Sequence, residues 1–392
     1  MVLRSTSWLL LSQLANMAVP LLALPLLLKT TSLNDFGSFA ICLSIVAYVQ
    51  VFYEYSFTII IPRYVNTEGK RSGSVFSCVV LYRLSLFFLF FIICSFVPIL
   101  RNSYLFYFFL HLFSLCFILP QLYLRTGFMQ VYGFASFISK ALLVTLVIFL
   151  YYQGELTIPR YILLLSFSSL ILAIVMLVKT KRKFNIFNLS FSFDFLVEFL
   201  KSGINPFFAS LVTSLYNNST VLYLGYFYSS SAVAIYAIAE KYIRAAIGLA
   251  SSLSVVIYNM NVNRNRALKL HGLEVGCFFV VYGMIYNFSE LWSAFGIDCS
   301  DFNYRILFLI IPIALTSYFL QLNFLYRTNK DRLVLKLSLL AALLHITLSI
   351  ITGLLDFYYL SLLVTIFVEC MIFILSAYLV IKVGESNGKI SG

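Results

Sequence analysis

A chain of 392 residues that is 61% hydrophobic and 11% charged lies far from the roughly 45–50% apolar and 25% charged of soluble domains. Its mean hydropathy of +0.96 leaves no room for a sizeable soluble domain. The formal net charge of +12 would point to nucleic acid in a soluble protein. Here the basic residues sit on short loops beside apolar runs, where they fix topology and meet anionic headgroups, so no nucleic-acid partner is implied.

Twelve apolar runs can be marked along the chain: 7–28, 37–61, 74–100, 104–123, 134–152, 161–178, 203–227, 232–257, 272–288, 306–325, 337–355 and 357–381. Most reach the roughly 20 residues a helix needs to cross a bilayer. The first is too long for a signal-peptide core and carries Ser12, Gln13 and Asn16. Met1–Thr6 therefore reads as a cytoplasmic tail and the run as a retained helix. Pro20 and Pro25 lie inside it, where each removes a backbone hydrogen bond and favours a kink, either a gating bend or a static, packed one.

The second run carries Glu54, a candidate proton or cation site or else the permanent partner of Arg83 on the third. Arg63, just past Pro62, reads as a topology determinant. The fifth run holds Lys140. The longest polar break, Lys179–Phe193, holds Lys179, Lys181, Arg182 and Lys183 and separates six runs from six. In the seventh run, Asn217, Asn218, Ser219 and Thr220 form a polar knot, either interhelical glue or a sugar-contacting wall. The eighth contains Ala239-Glu240-Lys241-Tyr242-Ile243-Arg244. Glu240 and Arg244 are four apart, share a helix face and can pair, while Lys241 is turned about 100° from Glu240. Glu369 lies in the last run, and the largest outer gap, Phe288–Asn303, is too short for an extracytoplasmic catalytic domain.

Nearly all of the 27 Lys and Arg fall in alternate gaps. Lys29, Arg101, Arg160 and Arg305 are in the others, and Arg83, Lys140, Lys241 and Arg244 are within runs. This asymmetry places both termini in the cytoplasm. The expected architecture is all-α and polytopic, about twelve transmembrane helices in two six-helix lobes: 1–178, a basic cytoplasmic linker 179–202, and 203–392. A weak internal echo supports related lobes, Phe36-Gly37-Ser38-Phe39-Ala40-Ile41 against Val233-Ala234-Ile235-Tyr236-Ala237-Ile238.

A charge at the bilayer centre costs roughly 2.5–3.5 kcal/mol on insertion scales, so the buried charges are expected to face a bundle interior or an aqueous cavity. Arg83, Lys140, Lys241 and Arg244 can line a cationic cavity for an anionic headgroup. The alternative is internal ion pairing or snorkelling to the interface. The seven cysteines have no CxxC spacing, and His111, His271 and His345 have no second His or Cys at ligand spacing, so neither disulfide framework, metal nor cofactor is expected. There is no phosphate-cradling Gly-rich loop, no HExxH and no Ser/His/Asp set within one loop.

Three stretches resemble the O-antigen (Wzx-type) flippases, polysaccharide exporters of the MOP superfamily. They are Leu10–Leu28 with Gln13, Asn16, Pro20 and Pro25; Phe36-Gly37-Ser38-Phe39 running to Tyr53-Glu54-Tyr55-Ser56-Phe57 and Pro62-Arg63; and Tyr236 to Ala246, similar to a "YxxAEKxxRA" pattern. One departure is that Tyr258 is followed by Asn259-Met260, where that family often has Tyr-Pro-Arg. The resemblance implies a two-lobed MOP flippase-like bundle in the bacterial inner membrane. Such a bundle moves undecaprenyl-pyrophosphate-linked oligosaccharide repeat units to the outer leaflet by alternating access, with Glu54, Glu240, Lys241 and Arg244 carrying roles. Membrane lipids, an O-antigen polymerase and a chain-length regulator are its implied partners. The rival readings are another MOP-type exporter, for capsule or peptidoglycan-precursor lipids or for drugs, and a membrane polymerase or ligase.

Overall fold

The computed structural model describes residues 2–65, 72–96, 104–184, 193–228, 230–260, 264–287 and 307–388; the outer gap Phe288–Asn303 lies outside them. No strand occurs among the described residues, and helix lies on every one of the twelve apolar runs. Among the described residues, eight helical stretches are long and apolar enough to cross a bilayer, or nine if a bent pair counts as one span. The chain is a multi-pass, all-α membrane protein. It divides into two compact units, Met1–Phe207 and Phe208–Gly392.

In the N-terminal unit the helices are α1 (Val2–Thr30), α2 (Leu33–Glu54), α3 (Phe57–Tyr64), α4 (Ser72–Phe96), a 3₁₀ turn (Tyr104–Phe108), α5 (Phe109–Leu115), α6 (Pro120–Thr126), α7 (Met129–Tyr152), α8 (Ile158–Phe184) and α9 (Phe193–Ser202). The basic stretch expected to be a linker supplies the end of α8 and, at 193–202, the amphipathic α9. Ser32 starts α2, since its Oγ accepts from the Asp35 N–H at 3.1 Å and donates to Asp35 Oδ2 at 2.7 Å, satisfying an orphan donor of the first turn.

Lipid tails are as apolar as leucine, so helices in a membrane are held by close packing and polar contacts rather than by hydrophobic exclusion. The unit uses both. α1 lies along α7 at Gly133, where an added Cβ would stand 2.6 Å from the Trp8 carbonyl oxygen. Phe39 meets Phe36, Tyr104, Phe108 and Tyr161 in one aromatic cluster.

The second apolar run is not one straight helix. α2 stops at Glu54, Tyr55 and Ser56 take left-handed conformations (φ 37° and 55°), and α3 restarts at Phe57. Neither residue is glycine, so tertiary contacts must hold the strain. Tyr55 Oη donates to the Leu200 carbonyl at 3.0 Å, and its ring stacks on Phe207 at 4.4 Å. The fourth run is broken as well, between α5 and α6. At Gly203 the chain bends by 56° between α9 and α10 (Ile204–Phe227), and a Cβ there would overlap Ile60 Cδ1.

α10 continues into the C-terminal unit, which adds α11 (Ser230–Met260), α12 (Arg264–Asn287), α13 (Ile310–Leu320) running into a π-helical turn (Gln321–Tyr326), α14 (Asp331–Leu354) and α15 (Tyr358–Gly388). Its core joins Val212 and Tyr216 of α10 to Ala341 and Ala342 of α14 and Val364, Val368 and Ile372 of α15. Small residues permit the approach: at Gly353 an added Cβ would lie 2.7 Å from Tyr223 Oη and 2.8 Å from Phe227 Cγ.

Candidate functional site: buried charges and a cavity in the C-terminal unit

Arg83 on α4 is 1% exposed. Its Nε donates to the Tyr53 carbonyl at 2.9 Å, and its Nη1 donates to the carbonyls of Leu115 and Ile118, each at 2.8 Å. Tyr53 is in the last turn of α2, Leu115 closes α5, and Ile118 lies in the break before α6. The last carbonyls of a helix have no intrahelical partner, and lipid offers no water to replace it. Arg83 therefore satisfies the ends of two broken spans at once, with a cation where each helix dipole is negative. Its Nη2 is 3.6 Å from Glu54 Oε1, whose side chain is 54% exposed, and its guanidinium carbon is 5.6 Å from the Phe57 ring centroid.

The other sequence candidates of this unit lie apart from Arg83. Lys140 is buried on α7, with no hydrogen bond or ion pair to its ammonium among the described residues. Pro20 and Pro25 both fall within the continuous α1; Pro25 is buried, and the Pro20 side chain lies outside the described residues.

In the C-terminal unit a cavity of about 420 Å³ opens between α10, α11, α13, α14 and α15. Tyr216 enters it from α10, Tyr236, Glu240 and Arg244 from α11, Tyr318 from α13, Gln321 from the π-turn and Glu369 from α15. The helical spacing that predicted a Glu240–Arg244 pair holds: Arg244 Nε and Nη2 donate to Glu240 Oε1 at 2.8 and 2.6 Å, with Glu240 buried and Arg244 37% exposed. Glu369 is buried and accepts from Tyr216 Oη at 3.2 Å. Lys241 is half-buried and is not one of the lining residues. Asn217 and Asn218 are helical in α10, and their side chains lie outside the described residues.

Thr220 of the same polar knot is turned into the core, where His345 Nε2 is 3.3 Å from both Thr220 Oγ1 and Thr365 Oγ1. Among its described lining residues the cavity thus carries one cation, two carboxylates and several tyrosines, a wall able to hold a polar ligand by charge, hydrogen bonds and ring faces. Among the described residues no group of three or more His, Cys, Asp or Glu is placed to hold a metal ion. Tyr216, Tyr318 and Gln321 gave no signal in the sequence, since each is one apolar-run residue among many. Only the packing of helices more than a hundred residues apart selects them.

The family model for "polysaccharide biosynthesis protein" matches residues 2–260. Among solved structures, a mutant of the MATE transporter VcmN of Vibrio cholerae aligns with a TM-score of 0.65 at 12% identity, covering 98% of this chain and 96% of that one. The MATE multidrug transporter DinF-BH gives 0.64 at 15% identity with 97% and 95% covered. A MOP superfamily transporter of Pyrococcus furiosus, whose binding pocket is described as having reverse polarity that suggests a different function, gives 0.63 at 12% identity with 98% and 95% covered. These likenesses establish the MOP transporter fold. No match is found among curated proteins.

Proposed function

Because the chain belongs to the polysaccharide biosynthesis protein family, and folds as MOP transporters do, we propose that it is a flippase for lipid-linked oligosaccharides. Its substrate would be an undecaprenyl-pyrophosphate-linked O-antigen repeat unit, moved to the outer leaflet of the bacterial inner membrane by alternating access, with both termini in the cytoplasm. The observation that carries this reading is the family match over 2–260, which takes in the Tyr236–Ala246 stretch and with it the cavity-facing Arg244. What the bilayer resists is the diphosphate charge, while the polyprenyl tail remains in lipid throughout. Arg244 offers the guanidinium suited to phosphate oxygens, and Lys241, three residues before it, offers a second cation outside the described cavity. Tyr216, Tyr236 and Tyr318 offer ring faces and hydroxyls to a sugar. In the N-terminal unit Nε and Nη1 of Arg83 are spent on main-chain carbonyls and Nη2 faces Glu54, so its contribution is to hold the broken spans that shape that lobe, and Lys140 is the remaining candidate for anion contact there. Membrane lipids, an O-antigen polymerase and a chain-length regulator belong to this proposal as partners.

Glu240 and Glu369 favour a second reading. Two acids against one cation in the described lining suit export of an organic cation. Complementation separates the two: wild type and a Lys241→Ala/Arg244→Ala variant are expressed in a strain lacking its own flippase, membrane levels are matched, and surface polymer and lipid-linked repeat units are assayed. Restoration by wild type, with lipid-linked units accumulating in the variant, is the expected result. Failure of wild type in a strain making the matching repeat unit refutes the flippase reading.

A further inference from the structure

Behind the cavity wall, α12 and α13 meet at a second polar cluster. His271 and Glu274 are three residues apart on α12 and share one helix face. Both side chains are 8% exposed, and Nδ1 of the ring is 3.0 Å from Glu274 Oε2. Nε2 is 3.3 Å from Thr316 Oγ1, and the ring lies flat on Phe319, with centroids 4.1 Å apart and planes 2° from parallel. The second carboxylate oxygen, Glu274 Oε1, is buried with no hydrogen-bond partner.

The two contacts of the ring are linked through its protons. The single hydroxyl proton of Thr316 is donated to the Pro312 carbonyl at 2.8 Å, so toward the ring Thr316 can only accept, and a hydrogen bond there requires a hydrogen on Nε2. The Nδ1–Oε2 contact is then a hydrogen bond only if one further proton lies between them, on the ring as imidazolium or on the carboxyl group as acid. Without that proton two lone pairs would face each other at 3.0 Å in a water-poor site. Turning the tautomer over would restore the contact with Glu274 and lose the one with Thr316. The apolar cluster here is Ile257 of α11, Ala267 of α12 and Phe319, flanked by Leu253 and Phe324. No Asp, Glu, Lys or Arg occurs between Ile310 and Tyr326, whose titratable groups are Tyr318 and Tyr326, and Arg266 and Lys269 of α12 are exposed. α11, which packs here through Ile257, brings Tyr258 near Tyr318, and Glu274 is the carboxylate in contact with the ring.

The other face of the same short helix lines the cavity through Ala314, Ser317 and Tyr318. We propose that His271 and Glu274 form a proton-binding couple whose occupancy fixes α12 against α13 through Thr316, and that α13 carries this state to the cavity. Proton loss releases the tie to Thr316 and frees α13 to move; proton gain restores it. As a coupling site for transport the couple rests on the proposed function above, but its linkage to the cavity does not.

The test is made on the full chain in lipid nanodiscs, with a nitroxide spin label on Ala314→Cys in a background whose native cysteines are replaced. The electron paramagnetic resonance line shape is recorded across the pH range in which the parent protein stays folded. With the couple intact, the ratio of mobile to immobile label is expected to change severalfold across this range. In Glu274→Gln and in His271→Asn it is expected to stay flat. Thr316→Val keeps both titrating groups but removes the hydroxyl that fixes the tautomer, and it too is expected to be flat. A pH response surviving in any one of these variants that elutes as a folded protein overturns the proposal, as does a flat response in the parent. If complementation fails while the pH response stands, the flippase reading falls and the couple remains; the opposite outcome removes the couple alone.

Discussion

Replacing Arg83 by methionine keeps most of the side-chain length and removes every donor. The guanidinium makes three short bonds to carbonyls of broken spans, each a charge-assisted contact of about 1.5–3 kcal/mol. The freed carbonyls recover part of this by relaxing, which puts the loss near the roughly 3–5 kcal/mol of breaking a buried ionic contact. At about 2–4 °C per kcal/mol for a unit of some two hundred residues, Tm in detergent should fall on the order of 10 °C. Glu54 is the control. Its carboxylate is more than half exposed and 3.6 Å from Arg83, so Glu54→Gln removes an exposed ion pair worth less than about 1 kcal/mol and leaves the three carbonyl bonds in place. Thermal unfolding followed by size-exclusion of the purified full chain measures both variants. Equal losses in the two would mean that Arg83 is held chiefly as the partner of Glu54, and the account of it as a clamp on two helix ends would be refuted.

Further outcomes follow from single contacts. Gly203→Ala places a methyl against the fully buried Ile60 and should cost about 1–3 kcal/mol by overpacking; Ile60→Val, which removes Cδ1, should return part of that loss in the double variant when Tm values are compared. Gly133→Ala drives a Cβ into the Trp8 carbonyl, a backbone atom, so its loss of Tm should exceed that of Gly203→Ala. Ser56→Gly relieves a left-handed conformation and should raise Tm slightly, by well under about 1 kcal/mol once the added freedom of the unfolded chain is counted. Tyr216→Phe removes the donor to the buried Glu369 and should destabilise by about 1–3 kcal/mol, with Tyr216→Phe/Glu369→Gln less than additive.

The apolar runs were legible because apolar length is written directly in the chain, and the Glu240–Arg244 pair because a four-residue spacing is local. The breaks inside the runs were not. Tyr55 and Ser56 are neither glycine nor proline, and what holds them is the carbonyl clamp of Arg83 and the lodging of Tyr55 against Leu200 and Phe207. These partners lie far away in the chain, Leu200 by 145 positions, beyond any local pattern. The same holds for Glu369 and Tyr216, brought together from the two ends of the C-terminal unit. His271 is a different case. No second His or Cys stands at ligand spacing from it, but an acid three residues on does, a local signal written in the sequence as His271-Gly272-Leu273-Glu274.

The π-helical turn at Gln321–Tyr326 amounts to a spare residue stored inside the tenth apolar run. A wide turn of this kind can slide one position along its helix by exchanging hydrogen bonds one at a time, never leaving the backbone open to lipid. Each step swings the residues it passes by about 100°. Gln321 stands at the leading edge of the turn and on the cavity wall, and its amide donates to Ser376 Oγ of α15 at 3.2 Å, so the wide turn ties the cavity wall to the last helix.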